Sequence, residues 1–208
     1  METFKFSTIL GMNTEIEAKF TRIDPRNVRK RLIELGANLK QPERLMRRKN
    51  YDYGDNRLRK VGGWIRLRDE INRVTLAYKQ LDDRTLYGTK EILITVENFE
   101  ETAIFLTTIG LQIKSYQETK RESWLLEEVE VEIDTWPWVP SFVEIEGKDE
   151  ESVKKTAKIL GFDWGVAKHG SVENVYQEIF DVTEEEIDGW KEIVFSPIPA
   201  WLEIKRRG

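Results

Sequence analysis

Cysteine is absent from this chain of 208 residues, and histidine occurs only once, as His169. Without cysteine the chain can form no disulfide, no zinc–thiolate site and no thiol nucleophile. A single histidine also argues against a histidine-based metal centre or a Ser-His-Asp triad. Any bound metal would therefore take oxygen ligands. The lack of cysteine suits the reducing cytoplasm, which is the location that we expect.

Long apolar runs and a surplus of basic residues are also missing. No stretch of about 18 apolar residues occurs, so the sequence predicts no membrane span. The chain has 33 Lys and Arg against 38 Asp and Glu, which gives a net charge of −5. A general nucleic-acid binder needs excess positive charge to neutralise phosphates, so we expect no stable nucleic-acid partner. A local basic cluster could still hold a small phosphorylated ligand.

Three short segments carry acids at every second position, with apolar residues between them. They lie at 15–19, 130–134 and 143–146. Successive side chains of a strand point to opposite faces of its sheet, so each segment predicts a strand with one apolar and one charged face. Acidic faces that converged would form a site for a hard cation such as Mg²⁺ or Mn²⁺.

The chain contains eight strand-like segments with helices between groups of them. Short turns separate several strands, which favours antiparallel pairing. We expect four or five helices and an α+β fold in a single domain over 1–208, with a core of about 13–180, a C-terminal helix and tail from 181, and a loose end after 199. The predicted strands are 13–20, 46–53, 63–69, 73–80, 88–96, 116–125, 127–134 and 142–147. The predicted helix starts are Asp24, Asn98, Asp149, Ser171 and a capping box at Thr183 and Glu186.

The signs of the charges are segregated between strands. Arg66 and Arg68 alternate on one predicted strand and Lys79 ends another, whereas acids dominate the three segments above. An ordinary sheet would simply place such charges in water. On a soluble surface, however, positive and negative residues are usually interspersed. An eight-stranded sheet can also close into a barrel wide enough for one small ligand. A charged interior of this kind suits a phosphorylated ligand that carries metal ions.

An ordered set of residues resembles the CYTH domain, also called the triphosphate tunnel metalloenzyme superfamily. Glu15-x-Glu17-x-Lys19 resembles its ExExK signature, and the resemblance extends over about 13–180. The family includes class IV adenylate cyclases and thiamine, inorganic and fungal-type RNA triphosphatases. The resemblance implies a closed eight-stranded antiparallel β-barrel, or tunnel, with a charged interior and about four to five flanking helices. The other matching segments are Trp64 to Arg68, Leu76 to Lys79, Lys90-Glu91, Thr119-Lys120-Arg121, Asp134 and Glu144-Ile145-Glu146.

The resemblance also implies the roles of individual residues. The metal-binding and catalytic acids would be Glu15, Glu17, Asp134, Glu144 and Glu146. The substrate-binding residues would be Lys19, Arg66, Arg68, Lys79, Glu91 and Arg121, with Lys120 as the alternative to Arg121, and with Lys168 closing one tunnel end. We expect Glu130 and Glu132 to be solvated, and the pattern does not identify the inward member of the basic run 47–49.

The implied function is that of an enzyme dependent on Mg²⁺ or Mn²⁺ that binds a small triphosphate. Its substrate would be ATP, thiamine triphosphate or inorganic triphosphate. The enzyme would be a cyclase, which converts ATP to cyclic AMP and pyrophosphate, or a triphosphatase. A non-catalytic nucleotide- or polyphosphate-binding module is the alternative, although a complete acidic set favours the enzyme. We expect no membrane partner, and both a monomer and a homodimer remain open.

Overall fold

Within residues 11–208 the chain forms nine strands, which are interrupted by six α-helices. The structure, a computed structural model, describes residues 11–208. The strands are β1 (Asn13–Phe20), β2 (Asn38–Tyr53), β3 (Gly63–Asp69), β4 (Val74–Leu81), β5 (Thr89–Val96), β6 (Leu111–Leu126), β7 (Val129–Thr135), β8 (Phe142–Gly147) and β9 (Glu192–Ile193). The helices are α1 (Pro25–Glu34), α2 (Phe99–Thr108), α3 (Glu150–Leu160), α4 (Glu173–Ile179), α5 (Glu184–Asp188) and α6 (Ala200–Glu203).

Strands β1 to β8 close into an antiparallel barrel. Their order is β2-β3-β4-β5-β1-β8-β7-β6, and β6 pairs with β2 to complete the circle. The short β9 adds to β6 in parallel, with Tyr116 opposite Glu192. The predicted eight-stranded antiparallel barrel is therefore confirmed, with one additional short strand. Closure leaves these eight strands paired on both sides, which removes the exposed edges of an open sheet.

Two strands are longer than the sequence predicts. Strands β2 and β6 each contain 16 residues and begin at Asn38 and Leu111. Their register shifts between Leu39 and Gln41 and again between Gln41 and Arg44, so the ribbon carries bulges next to Pro42. A bulge accommodates a proline and disturbs strict alternation, which is why the pattern missed this part of the strand.

The end of the chain is ordered, contrary to the prediction of a loose tail. Helix α6 forms there, and the side chain of Leu202 is 0% exposed. Phe180 also forms an antiparallel bridge with Arg206. An apolar anchor and a backbone bridge hold this segment, although its composition gave no such signal.

Four of the five predicted helix starts form with side-chain caps; the exception is Ser171, because α4 begins at Glu173 after Val172 and has no side-chain cap. The side chains of Asp24, Asn98 and Asp149 accept hydrogen bonds from backbone N–H groups at the starts of α1, α2 and α3. The capping box of Thr183 and Glu186 is also present, at the start of α5. These caps satisfy N–H groups that have no partner within the helix.

The apolar core lies outside the barrel wall, between the strands and the helices. Ala18, Val131 and Ile145 are 0% exposed and pack under α1 and α3 through residues such as Leu32 and Val153. A second cluster joins β2, β3 and β6 to α2. A third cluster joins β8 and the turn before it to the C-terminal helices, through residues such as Phe142 and Phe180. In β1, β7 and β8 the apolar residues therefore face outward toward the helices, and the charged residues that alternate with them face the opposite side of the sheet.

The C-terminal segment 168–193 covers one end of the barrel, called here the closed end. Lys168 forms a backbone bridge with Lys19, and Tyr176 donates its hydroxyl hydrogen bond to the carbonyl of Pro137 at 3.0 Å. Tyr176 is itself 0% exposed. Within residues 11–208 no helix is both long and apolar enough to cross a membrane.

Replacement of two glycines tests how tightly the β3–β4 side of the barrel closes. Gly62 and Gly36 have nearly the same φ, +75° and +74°. A Cβ on Gly62 would lie 2.2 Å from the carbonyl oxygen of Leu81, whereas a Cβ on Gly36 would meet no atom within 4 Å. We expect Gly36→Ala to cost about 1 kcal/mol from left-handed strain and Gly62→Ala to cost at least about 3 kcal/mol. Urea unfolding measures both, and equal costs would contradict the close approach.

Candidate active site

The barrel brings together all of the sequence-predicted site residues except Lys120 and Lys168. Strand registers place Glu17 opposite Glu146, Lys19 opposite Glu144 and Lys79 opposite Glu91, so the members of each pair share a face. The apolar residues that alternate with them pack against the helices outside the barrel, so the charged face lies on the inside. The residues on it are Glu15, Glu17, Lys19, Arg66, Arg68, Lys79, Glu91, Arg121, Asp134, Glu144 and Glu146, all buried or half-buried.

Lys19 and Arg121 hold the acids near the closed end. The ammonium of Lys19 lies 2.5 Å from Glu17 and 2.9 Å from Glu144, and it donates to the carbonyl of Gly170. The guanidinium of Arg121 donates to Asp134 at 2.6 Å and also reaches Glu144. Burial alone would raise the pKa of Glu144, but Lys19 and Arg121 outweigh it and hold that pKa well below its usual value. Glu144 is therefore the firmly ionised carboxylate of the group.

Three other carboxyls have too little compensating positive charge. Burial, reinforced by the charge of Glu144, raises the pKa of Glu17 to about 8. Burial and the neighbouring acids Glu15 and Glu144 raise the pKa of Glu146 to about 7. Burial is also the main reason that the pKa of Glu132 rises to about 7. The β1, β7 and β8 side of the tunnel therefore holds more carboxyl groups than its bases can neutralise, and a bound cation would favour their ionised form.

A second ion-pair group ties β1 to β3, β4 and β5. Lys79 lies 2.7 Å from Glu15 and 3.8 Å from Glu91, and Arg66 donates to Glu91 at 3.0 Å. Burial would raise the pKa of Glu15, but the charge and hydrogen bond of Lys79 leave it lowered. These contacts hold Lys79 and Arg66 on the tunnel wall with their positive charges directed inward.

The β2 and β3 side of the tunnel carries surplus positive charge. Arg48 is 7% exposed and donates to the hydroxyl of Thr119 at 3.0 Å. Burial, followed by the repulsion of Arg66, Arg68 and Arg121, lowers the pKa of Arg48 well below its usual value. Burial and the charge of Arg66 likewise lower the pKa of Arg68 to about 10, even though Arg68 pairs with Glu70. Arg48 and Arg68 are direct neighbours on paired strands, so an anionic ligand beside their guanidinium groups would relieve this repulsion.

The acidic residues have the chemistry of a site for a hard divalent cation. Their carboxylate oxygens are the donors that Mg²⁺ and Mn²⁺ prefer, and one buried oxygen of Glu132 has no hydrogen-bond partner. Within residues 11–208, no three acids or histidines are already grouped at metal-binding distances, because Lys19, Lys79 and Arg121 share the carboxylates. The donor set thus fits a divalent cation, and binding would require some carboxylates to turn from their ion-pair partners.

Two of the predicted site residues lie away from the tunnel interior. Lys120 is on the outer face, with its ammonium 5.1 Å from the centre of the Phe195 ring, so Arg121 is the inward member of the pair. Lys168 lies at the closed end, where its ammonium is 3.4 Å from Glu178 rather than near the acidic group. Strand alternation permits only one of two neighbouring residues to face inward, which excludes Lys120.

Two functional candidates escaped the sequence prediction. Glu132 was expected in solvent but is 8% exposed and lies opposite Glu144. Its place two residues before Asp134 was the available signal, because both then share a face. Arg48 is the inward member of the basic run, and its register opposite Arg68 identifies it. That register is a tertiary fact which the sequence did not show. Glu130 is exposed, as predicted.

The raised carboxyl pKa values predict that stability falls as pH rises in metal-free buffer. The folded protein keeps protons on Glu17 above the pH at which the unfolded chain has lost them, so the folded state binds more protons between about pH 4.5 and pH 8. The free energy of unfolding should therefore decrease over that window, with each proton contributing up to about 1.4 kcal/mol per pH unit. Urea unfolding at a series of pH values in EDTA measures the slope. Glu17→Gln should flatten it, whereas Glu128→Gln, at an exposed position, should not. A slope that is flat or rises in the parent protein would contradict these pKa shifts.

The structure resembles several solved proteins. A proposed adenylate cyclase from Vibrio parahaemolyticus has a TM-score of 0.69 at 14% identity, over 79% of this chain and 98% of that one. The PH1012 protein from Pyrococcus horikoshii has a TM-score of 0.64 at 16% identity, over 77% and 98%. HpAC1 from Hippeastrum, a proposed adenylyl cyclase with a dominant triphosphatase activity, has a TM-score of 0.54 at 15% identity, over 79% and 94%. At these identities the likeness is one of fold.

Sequence comparison gives the family directly. A search among curated proteins found no match to this chain. The family model described as the CYTH domain matches residues 13–163, which is most of the chain and includes all eight strands of the barrel. The charged tunnel described above lies within that matched region. The chain therefore belongs to the CYTH domain family.

Proposed function

We propose that this protein is an enzyme dependent on Mg²⁺ or Mn²⁺ that hydrolyses a small triphosphate inside the barrel. One observation carries the proposal: the buried charges of the tunnel are separated into an acidic side and a basic side, and neither is fully neutralised. A complex of a triphosphate with a divalent cation has the charges that both sides need. The phosphate oxygens would meet the guanidinium and ammonium groups, and the cation would meet the carboxylates.

The basic side would bind and orient the phosphate chain. Arg66 and Arg68 lie two residues apart on β3, which places them about 7 Å apart along the tunnel wall. Guanidinium groups bind phosphate oxygens in a forked geometry, and Lys79 adds a point charge from the neighbouring strand. Phosphoryl transfer depends chiefly on such positioning and charge stabilisation.

The acidic side would hold the cation and accept a proton. When bound, the metal would withdraw charge from the phosphate oxygens and lower the pKa of a bound water. Glu15 and Glu144 are the carboxylates best suited to remain ionised ligands, since lysine or arginine groups contact each of them. Asp134, which pairs with Arg121, would supply a further carboxylate oxygen. Glu17 and Glu146, whose pKa values lie near neutrality, are suited to accept the proton of an attacking water.

We favour hydrolysis over cyclisation because the charged interior accounts for recognition of a triphosphate group and identifies no contact for a nucleoside. The dominant triphosphatase activity stated for the Hippeastrum protein supports this choice through fold likeness. The cyclase reaction is the second candidate, with support of the same kind from the Vibrio protein. A non-catalytic binder would gain nothing from surplus buried carboxylates, because these would repel the anion when no cation accompanies it.

Turnover assays with product identification test this proposal. Inorganic triphosphate, ATP and thiamine triphosphate are each incubated with Mg²⁺ or Mn²⁺. Hydrolysis predicts orthophosphate release that EDTA abolishes, whereas cyclisation predicts cyclic AMP and pyrophosphate from ATP.

Glu146→Gln should lower kcat by about 100-fold or more with little change in KM, because it removes a proton acceptor. Glu128→Gln, at an exposed outer position, is the matched control. Full activity of Glu146→Gln at saturating metal would contradict the assignment.

Arg66 should act mainly in substrate binding. We expect Arg66→Gln to raise KM for the accepted triphosphate by about 10-fold, with a smaller effect on kcat, because it removes a phosphate contact present before the reaction. Arg57→Gln removes an exposed arginine that pairs locally with Asp55 and should leave both constants unchanged. Steady-state kinetics measure the two constants separately. An unchanged KM in the Arg66 variant would remove this residue from the phosphate-binding group.

A further inference from the structure

Arg48 differs from the other tunnel bases in how it is held. Lys19, Lys79, Arg66 and Arg121 each pair with a carboxylate. Within residues 11–208, Arg48 forms no ion pair. It is fixed instead by the Thr119 hydroxyl and by the indole ring of Trp136, whose centre lies 4.6 Å from the guanidinium carbon.

An aromatic partner leaves the positive charge of an arginine available. A carboxylate would fix the guanidinium but would also cancel its charge. The face of an indole ring attracts and orients a cation through its quadrupole and brings no net charge with it. The N–H groups at the edge of the stacked guanidinium can still donate to phosphate oxygens. Stacking on Trp136 is therefore a way to present an uncompensated cation inside a buried site.

Trp136 is in turn fixed by the C-terminal segment. Its ring packs edge-on against Tyr176 at 6.4 Å, and Tyr176 packs edge-on against Trp190 at 5.3 Å. Tyr176 also anchors the loop that follows Trp136, because its hydroxyl bonds the carbonyl of Pro137. Tyr176 and Trp190 both lie beyond the matched family region, which ends at residue 163. A series of aromatic contacts thus connects the closed end of the barrel to the basic side of the tunnel.

We propose that Arg48 binds a phosphate group of the substrate and that Trp136 and Tyr176 are positioning residues which hold its guanidinium toward the tunnel. This inference rests on the proposed function and adds a binding residue to the same site. It also gives the C-terminal segment a part in substrate binding beyond covering the barrel end. The ligand class is a phosphate anion, with inorganic triphosphate as the simplest probe.

Affinity for inorganic triphosphate, measured by calorimetry in EDTA so that no turnover occurs, is the first test. Arg48→Gln should weaken binding by about 10-fold, equivalent to about 1.4 kcal/mol, and Arg48→Lys should restore only part of it. Arg47→Gln is the matched control, because Arg47 lies on the outer face in an exposed pair with Asp69. Equal affinity of the Arg48→Gln and parent proteins would overturn the proposal.

A double-mutant cycle tests the role of Trp136. Trp136→Phe keeps an aromatic face and should bind within about threefold of the parent. Trp136→Leu removes that face and should weaken binding about fivefold in the Arg48 protein, but should have no further effect in the Arg48→Gln background. Additive losses would mean that Trp136 acts on the fold in general and would overturn the positioning role. Circular dichroism shows whether each variant folds. If Trp136→Leu unfolds, triphosphate affinity is compared instead between the parent protein, Trp136→Phe and Tyr176→Phe, together with the ¹⁹F signal of Trp136.

A spectroscopic test separates positioning from mere stability. Protein labelled with 5-fluorotryptophan gives a ¹⁹F signal for Trp136, which its absence in Trp136→Phe identifies. Triphosphate should shift that signal in the parent protein and not in Arg48→Gln. A signal that does not move in a parent protein that binds and hydrolyses triphosphate would overturn this inference alone. Failure of the parent to bind any triphosphate, with or without metal, would instead overturn the proposed function and this inference with it.

Discussion

Burial of many charges inside one closed barrel is the constraint on which the rest of the structure depends. A charge removed from water is costly unless an opposite charge and hydrogen bonds compensate it. Lys19 and Arg121 meet this need for Glu144, and Lys79 meets it for Glu15. Compensation is incomplete elsewhere, at Glu17 on the acidic side and at Arg48 on the basic side. A ligand of opposite charge gains most at these places, so the same uncompensated charges destabilise the barrel and favour binding.

The placement of the core follows from the same constraint. A barrel filled with charge cannot hold its strands together by interior packing, so its apolar side chains must find partners outside. Helices α1 and α3 supply them for β1, β7 and β8, and α2 supplies them for β3 and β6. The C-terminal elements do the same at the closed end, where Tyr176 and Phe180 are fully buried. The helices are therefore what permits a polar interior, and rigid outer packing fixes the geometry of the charges within.

Much of this arrangement was readable from alternation. Glu15, Glu17 and Lys19 sit at every second position, and strict alternation is kept wherever the strand is regular, so their shared face could be predicted. Alternation could not say which face was inside; the separation of signs and the family resemblance supplied that. Arg48 stayed ambiguous because three basic residues are consecutive and β2 has bulges, so only its pairing with β3 fixes its direction. Glu132 was wrongly assigned to solvent because acids on a strand are usually exposed, and only the barrel's closure buries it. The ordered tail depends on contacts of Leu202 with distant residues, which local composition does not record.

Proton release on binding of the metal and the anion together is the most direct measure of the central claim. Calorimetric titration of inorganic triphosphate at pH 7 with and without Mg²⁺, repeated in buffers of different ionisation enthalpy, counts the protons that leave the protein. We expect Mg²⁺ and triphosphate to strengthen each other's binding, and we expect protons to be released because a nearby cation lowers the pKa of protonated carboxyls such as Glu17. Binding of triphosphate that Mg²⁺ leaves unchanged, with no protein protons released, would contradict the claim that the unbalanced buried charges form the site.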